Sequence, residues 1–246
     1  MKKLFFTLCI VAVAAMVGCK SEGTVAPVSS EGYLQLSAEA SVEVITRAAT
    51  EITIPEVSEF SLEIKGENYE KSWEQFSLFE SADNPLVAGN YTASVAWGDI
   101  AQEGINKPAY AGSVDFEIKA QRVTTASIVA KLSNAQVIVK CTENFLRYFH
   151  DESFTLKSAQ GNEFKFDSTS EDTVFIAPGA FTINGSALKQ TGATITFPEQ
   201  TKVAEARSLY TYTFDLSTAG EAKVVISLDD TVVEEVVVDT ELNPES

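Results

Sequence analysis

Histidine, cysteine, tryptophan and basic residues are all scarce in this sequence. Its 246 residues hold one histidine, three cysteines and two tryptophans, with 18 basic residues against 35 acidic ones. A Ser-His-Asp or Cys-His arrangement would have to be built on the single histidine. That residue, His150, sits in Arg147-Tyr148-Phe149-His150-Asp151 and reads as a capping or surface residue. A zinc site takes three or four His, Cys or carboxylate ligands, more than one His and one lone Cys supply. Few basic residues count against nucleic acid, whose binding draws on Lys and Arg neutralising phosphates. No EF-hand loop, phosphate-binding loop or dinucleotide fingerprint occurs. Two carboxylates could hydrolyse a glycoside. However, the adjacent pairs Asp229-Asp230 and Glu234-Glu235 would point to opposite faces of a strand. No enzyme, metal site or cofactor is expected.

Long apolar runs are equally rare. The one that stands out, Leu4 to Val17, follows Lys2 and Lys3 and ends at Gly18-Cys19. Fourteen residues fall short of the roughly 20 that a helix needs to cross a bilayer. A charged start, a short apolar core and a small residue at the cut read as a signal peptide over residues 1–18. Met16-Val17-Gly18-Cys19 resembles the bacterial lipobox, in which the Cys is acylated and becomes the mature N-terminus. Cys19 is thus the expected lipid anchor, and the outer membrane of a Gram-negative bacterium the expected address. Residues 19–31 are polar, with serines, Gly23 and Pro27, and read as a flexible tether. One acid near the anchor, Glu22, leaves the periplasmic and cell-surface faces both open.

Without residues 1–18, which hold Lys2, Lys3 and no acid, sixteen basic residues face thirty-five acids. The net charge is then −19, against −17 for the whole chain. Such a charge keeps a surface protein soluble. Cys9 leaves with the signal peptide and Cys19 carries lipid, so Cys141 has no partner for an intramolecular disulfide. It shares the parity of Ala135, Val137 and Val139, which places it on the apolar face of a strand.

Most of the remaining chain alternates with period two, the mark of half-buried strands. Examples are Phe60-Leu62-Ile64, Tyr91-Ala93-Val95-Trp97, Val114-Phe116-Ile118 and Tyr210-Tyr212-Phe214-Leu216. Val224 to Leu228, Asp229-Asp230 and Val232-Val233 spell a hairpin with an acidic turn. One helical piece is expected at Phe145 to Phe149, with Phe145, Leu146 and Phe149 on one face. The two halves carry similar segments in the same order. Tyr33 to Ser37 matches Ala135 to Val139, and Phe60-Ser61-Leu62 matches Phe154-Thr155-Leu156. Gly89-Asn90-Tyr91-Thr92 matches Gly179-Ala180-Phe181-Thr182, and Val114-Asp115-Phe116 matches Ile195-Thr196-Phe197. The fold class expected is all-β, with two tandem β-sandwich domains over 32–131 and 132–246.

Val87-Ala88-Gly89-Asn90-Tyr91-Thr92, Pro108 to Phe116 and Leu132 to Val137 resemble a family of Bacteroidetes lipoproteins whose domain has no assigned function. More distantly, the chain resembles the fimbrillin-type pilins and fimbrial accessory lipoproteins of the same bacteria. That resemblance implies transthyretin-like sandwiches and a role in adhesion or fimbria-like surface assembly. It also implies other surface or fimbrial proteins as partners. Fimbrillin-type precursors are cut after an arginine near the N-terminus, and Arg47-Ala48 matches such a site in type and place. Asp167-Ser168-Thr169, Asp172-Thr173-Val174 and Asp230-Thr231-Val232 are similar to the O-glycosylation sequon of exported proteins in these bacteria, which makes Ser168, Thr173 and Thr231 candidate sites. The alternative is a glycan-binding surface lipoprotein. Sugar faces stack on exposed rings, and Trp73, in a polar stretch, and Tyr110, in a loop, are the candidate contacts.

Overall fold

The computed structural model describes residues 29–41, 54–170, 172–216, 221–229 and 231–238. Among these the fold is all-β with one short helix. In the first half the strands are β1 (Glu31–Ser41), β2 (Ser61–Gly66), β3 (Tyr69–Trp73), β4 (Leu86–Val87), β5 (Gly89–Trp97), β6 (Gly104–Ile105), β7 (Tyr110–Ile118) and β8 (Val123–Leu132). The second half holds β9 (Ala135–Cys141), α1 (Glu143–Tyr148), β10 (Phe149–Lys157), β11 (Glu163–Phe166), β12 (Val174–Ile176) and β13 (Gly179–Lys189). It continues with β14 (Thr194–Ala204), β15 (Leu209–Leu216), β16 (Ala222–Leu228) and β17 (Thr231–Val238).

Strand order in the first half is β3-β2-β5-β7-β8-β1-β4. Between β7 and β8 the register is only Tyr110 with Leu132 and Ala111 with Lys131, so the sheet turns a corner there. Inward residues of both arms then share one core. Leu62, Ile64, Ala93 and Val95 come from one side, and Leu34, Ala126, Ile128 and Ala130 from the other. The second half has β11-β10-β13-β14 as one sheet and β17-β16-β15-β9-β12-β6 as the other. Its core is phenylalanine-rich, with Phe145, Phe154, Phe181, Phe197 and Phe214 among its members.

The pairings of the first half recur in the second. β1 runs parallel to β8 and antiparallel to β4, as β9 runs parallel to β15 and antiparallel to β12. β2 lies between β3 and β5 as β10 lies between β11 and β13. Gly89 and Gly179 both open the strand that carries the large aromatic, Tyr91 or Phe181. Three of the sequence matches need correction. The inward residue Leu34 corresponds to inward Val137, so β1 and β9 align one residue differently, because a slip of one would turn a core residue outward. Leu62 corresponds to Phe154, since they pair with Val95 and Gly185, each six residues after the opening glycine. Phe116 corresponds to Lys202, opposite Tyr91 and Phe181, and not to Phe197.

The helix is real but shifted from its apolar pattern, starting two residues before Phe145 and ending one before Phe149. Thr142 caps it, its hydroxyl accepting from the Phe145 amide at 3.2 Å. Phe145 and Phe149 are buried and stack at 4.6 Å, but Phe149 already belongs to β10 and Leu146 is exposed. The polar stretch around Trp73 forms β3, an edge strand that the period did not disclose.

Candidate functional site

Three places gather polar side chains: an outer sheet face, the joint between the halves, and the turn after β11. On the outer face of β3-β2-β5-β7 the outward residues are short. Ser61, Glu63, Ser72, Ser94, Ala96 and Ser113 line an open trough of about 630 Å³. A second trough of about 690 Å³ follows, past Lys65, Asn90, Thr92 and Asp115. Several of these groups pair with one another. Lys65 lies 2.9 Å from Glu63 and 3.3 Å from Glu70, and both carboxylates push its pKa up. Thr92 donates to Asp115 at 2.6 Å. The face offers hydroxyls and carboxylates for hydrogen bonding.

At the joint, the 98–109 loop of the first half reaches the second. Its strand β6 pairs with β12. The Glu103 carboxylate accepts from Ala177 N and Asn162 Nδ2, each at 2.8 Å, and from the Ser158 hydroxyl. Asn134 Oδ1 accepts from Ala109 N, and Asn134 O from Arg207 N at 2.7 Å. In return Phe175 of β12 packs into the first half's core. Its ladder neighbour Gln136 is fully buried, with no partner for either side-chain polar atom.

The third place is an Asx-type turn. Asp167 Oδ1 accepts from the Thr169 amide at 2.9 Å and hydroxyl at 2.6 Å, and from Ser170 Oγ at 3.1 Å. The Thr169 hydroxyl, first among these donors, holds the Asp167 carboxyl below its ordinary pKa. Ser168 donates its amide to Glu152 at 3.0 Å and is exposed.

The candidate residues scatter over this frame. Tyr110 is buried, its ring edge-on to Trp97 and Phe60, so it is a core residue and not a sugar platform; the loop before it ends one residue earlier than its composition suggests. Trp73 is half-buried, opposite inward Leu62 and packed against the first core, edge-on to Phe79 at 5.2 Å, with the Lys71 ammonium 5.0 Å from its ring; the trough lies on the other face of the sheet. Thr173 is buried, which removes it as a modification site in the folded chain, whereas Ser168 and Thr231 are exposed. Cys141 is half-buried against the second core, and burial pushes its thiol up to about 12. His150 lies beside a β-bulge, its Nε2 3.8 Å from Asp151. Cys19, Arg47 and Ala48 lie outside the described residues. Among the described residues no group of three or more His, Cys, Asp or Glu could hold a metal ion, and no helix is long and apolar enough to cross a membrane. The joint at Glu103 was not foreseen, because a lone glutamate among thirty-five acids carries no local signal.

The chain belongs to the family defined by the domain of unknown function DUF4493, which matches residues 30–244. No curated protein sequence matches it. Among solved structures it is similar to the fimbrial anchor protein Mfa2 of Porphyromonas gingivalis, with 9% identity, a TM-score of 0.43, and coverage of 84% of this chain and 100% of that one. A candidate cell adhesion protein of Bacteroides eggerthii shows 8% identity and a TM-score of 0.44, over 83% of this chain and 96% of that one. A candidate polysaccharide-binding protein of Bacteroides thetaiotaomicron shows 10% identity and a TM-score of 0.42, over 87% and 100%. A likeness of this degree carries no functional argument.

Proposed function

We propose, with membership of that family as the premise, that the chain is a non-enzymatic cell-envelope lipoprotein. On this reading it is held on the outer membrane through Cys19 and acts in adhesion or fimbria-like surface assembly. Its halves, 32–131 and 132–246, are tandem transthyretin-like sandwich domains. Supporting the reading is the sequence Met16-Val17-Gly18-Cys19 at the end of a signal-type segment. It is followed by two strand-rich halves clamped at Glu103. A tethered body of this kind suits contact and load better than turnover. Ser168 and Thr231 are its candidate O-glycosylation sites, and Arg47-Ala48 its candidate processing site.

The test is the intact mass and N-terminal peptide of native protein from purified outer membrane. An acylated Cys19 is expected. A chain that starts at Ala48 would mean the lipid is discarded, and would replace an anchored role with that of a polymerising subunit. Added hexose mass on Ser168 or Thr231 peptides is also expected; unmodified peptides would remove glycosylation. The second reading, glycan binding, keeps half-buried Trp73 as its candidate contact, with the serine-lined trough on the other face of the same sheet. It requires a tryptophan fluorescence change with polysaccharide that Trp73→Phe abolishes.

A further inference from the structure

The repeated halves differ in what covers one matching place. In the second half, the start of β9 and the start of β15 carry the outward pair Gln136 and Leu209, and both are buried at the joint, 0% and 1% exposed. In the first half the matching pair is Tyr33 and Val123, on β1 and β8, and these are 44% and 64% exposed. Val87, opposite Glu31 on β4, adds a third apolar side chain, 55% exposed. This patch lies at the end of the first half remote from the joint. Strand β5 leaves it at Gly89, opposite Ile118, and ends at Trp97, opposite Tyr110, next to the loop that grips the second half.

What precedes the patch in the chain says what covers it. The described residues begin at Ser29, at this same pole, and Cys19 stands ten residues earlier. Ten residues span at most about 35 Å, whatever their conformation. The pole is also locally balanced in charge, unlike the chain at −17. Lys119 and Arg122, in the turn bonded to β1 through Tyr33 N to Arg122 O and Gln121 N to Glu31 O, offset Glu31 and Glu117. A tyrosine and two valines flanked by long cationic side chains is a composition suited to a membrane interface.

We infer that this pole rests on the lipid surface, with Tyr33, Val87 and Val123 at headgroup depth and Lys119 and Arg122 reaching lipid phosphates. The inference rests on the proposed anchor at Cys19. It is tested by hydroxyl-radical footprinting of the acylated full chain on phosphatidylethanolamine–phosphatidylglycerol vesicles. The unlipidated Cys19→Ser chain in solution is the reference, and Tyr148 and Val203, exposed elsewhere, are internal controls. Oxidation of Tyr33 and Val123 should fall by about threefold or more on vesicles, as expected for side chains taken into an interface, with the controls unchanged. Tyr33→Ser with Val123→Ser should leave vesicle flotation intact but restore oxidation of Val87. Flotation without protection at Tyr33 and Val123 would overturn the lipid contact while leaving the anchor standing. Failure to float would overturn the anchor itself, and the contact with it. Protection that grows with protein concentration in the absence of vesicles would assign the patch to a protein neighbour and overturn the lipid reading.

Discussion

The two halves hold one strand order with two different interiors. In the first, the central strands contribute mid-sized aliphatics, so that Leu62 faces Val95 across β2 and β5. The second solves the same place with a large and a small residue, Phe154 opposite Gly185. A Cβ on Gly185 would run into the Phe154 ring, which itself stacks on Phe214 at 3.6 Å. What is kept between the halves at this position pair is a filled place in the core, reached with different residues, as close packing demands. A second difference is at the margins. Strand β8 keeps company with β7, while β15 gains the added hairpin β16–β17 on its far side. The second half spreads into two separate sheets as a result, and the first stays one folded sheet.

The sharpest way to break this comparison is to move one interior into the other. Gly185→Val alone should overpack and cost about 1–3 kcal/mol. Phe154→Leu alone should leave a void and cost about 1–3 kcal/mol. Combined, they recreate the Leu62–Val95 pair, and urea unfolding of the double variant should show less destabilisation than the sum by at least about 1 kcal/mol. Strict additivity would mean that the two halves do not share a packing scheme. Next comes the joint, which has no counterpart at the free pole. Glu103→Ala strips the acceptor from three donors and should cost about 1–3 kcal/mol. Calorimetry should then resolve two unfolding steps where the parent shows one. A single transition at lower temperature would mean that the β6–β12 pairing, the Asn134–Ala109 bond and Phe175 couple the halves without Glu103.

A smaller effect is expected at Cys141, whose counterpart in the first half is Ala38: each pairs on the parallel ladder, with Phe214 and Ile128. Cys141→Ala copies the first half and should cost about 1 kcal/mol or less. The thiol itself should react slowly with a disulfide reagent at neutral pH in the native chain and quickly in denaturant, because burial holds it protonated. The sign of the pH effect follows from the raised value. The contribution to stability is present below the unfolded thiol pKa of about 8.5 and lost as pH rises toward about 12. Fast native reaction would show the site to be more open than its packing indicates.

How much was legible depended on whether information was local. Alternation at Tyr91 to Trp97 and Tyr210 to Leu216 disclosed strands, since each faces solvent on one side and core on the other. It disclosed β9 as well, through Ala135, Val137 and Val139, but not that Gln136 and Ile138 are buried on the opposite face. A strand covered on both sides has no polar face to alternate with. Tyr110 looked like a loop residue between Pro108 and Gly112, because the strand that contains it begins at the residue itself. The repeat order was readable from Gly89 and Gly179, while register was not. Whether Phe116 answers to Phe197 or to Lys202 is decided by cross-strand pairing, Phe116 with Tyr91 and Lys202 with Phe181, which no local pattern marks.

That last position gives the finest comparison. Phe116 stacks on Tyr91 with ring centroids 5.8 Å apart, and its counterpart Lys202 faces Phe181 but forms an ion pair with Glu234 of the added strand β17. Glu234 lies opposite inward Ile226, so its side chain points toward the interior from an edge strand, a placement that discourages pairing with other chains. Burial first, and then this carboxylate, raise the pKa of neighbouring Tyr212. The Lys202 and Glu234 side chains are 22% and 39% exposed, so solvent screens much of their attraction. Lys202→Met should therefore cost no more than about 1 kcal/mol. Lys202→Met with Glu234→Leu should be close to neutral, since an apolar pair of similar size replaces both desolvated charges. The double variant should nevertheless associate more readily in sedimentation at high protein concentration, because its outermost strand has lost the inward charge. If it stays monomeric while its stability falls by several kcal/mol, the ion pair serves the fold of the second half as Phe116 serves the first, and the edge is protected by other means.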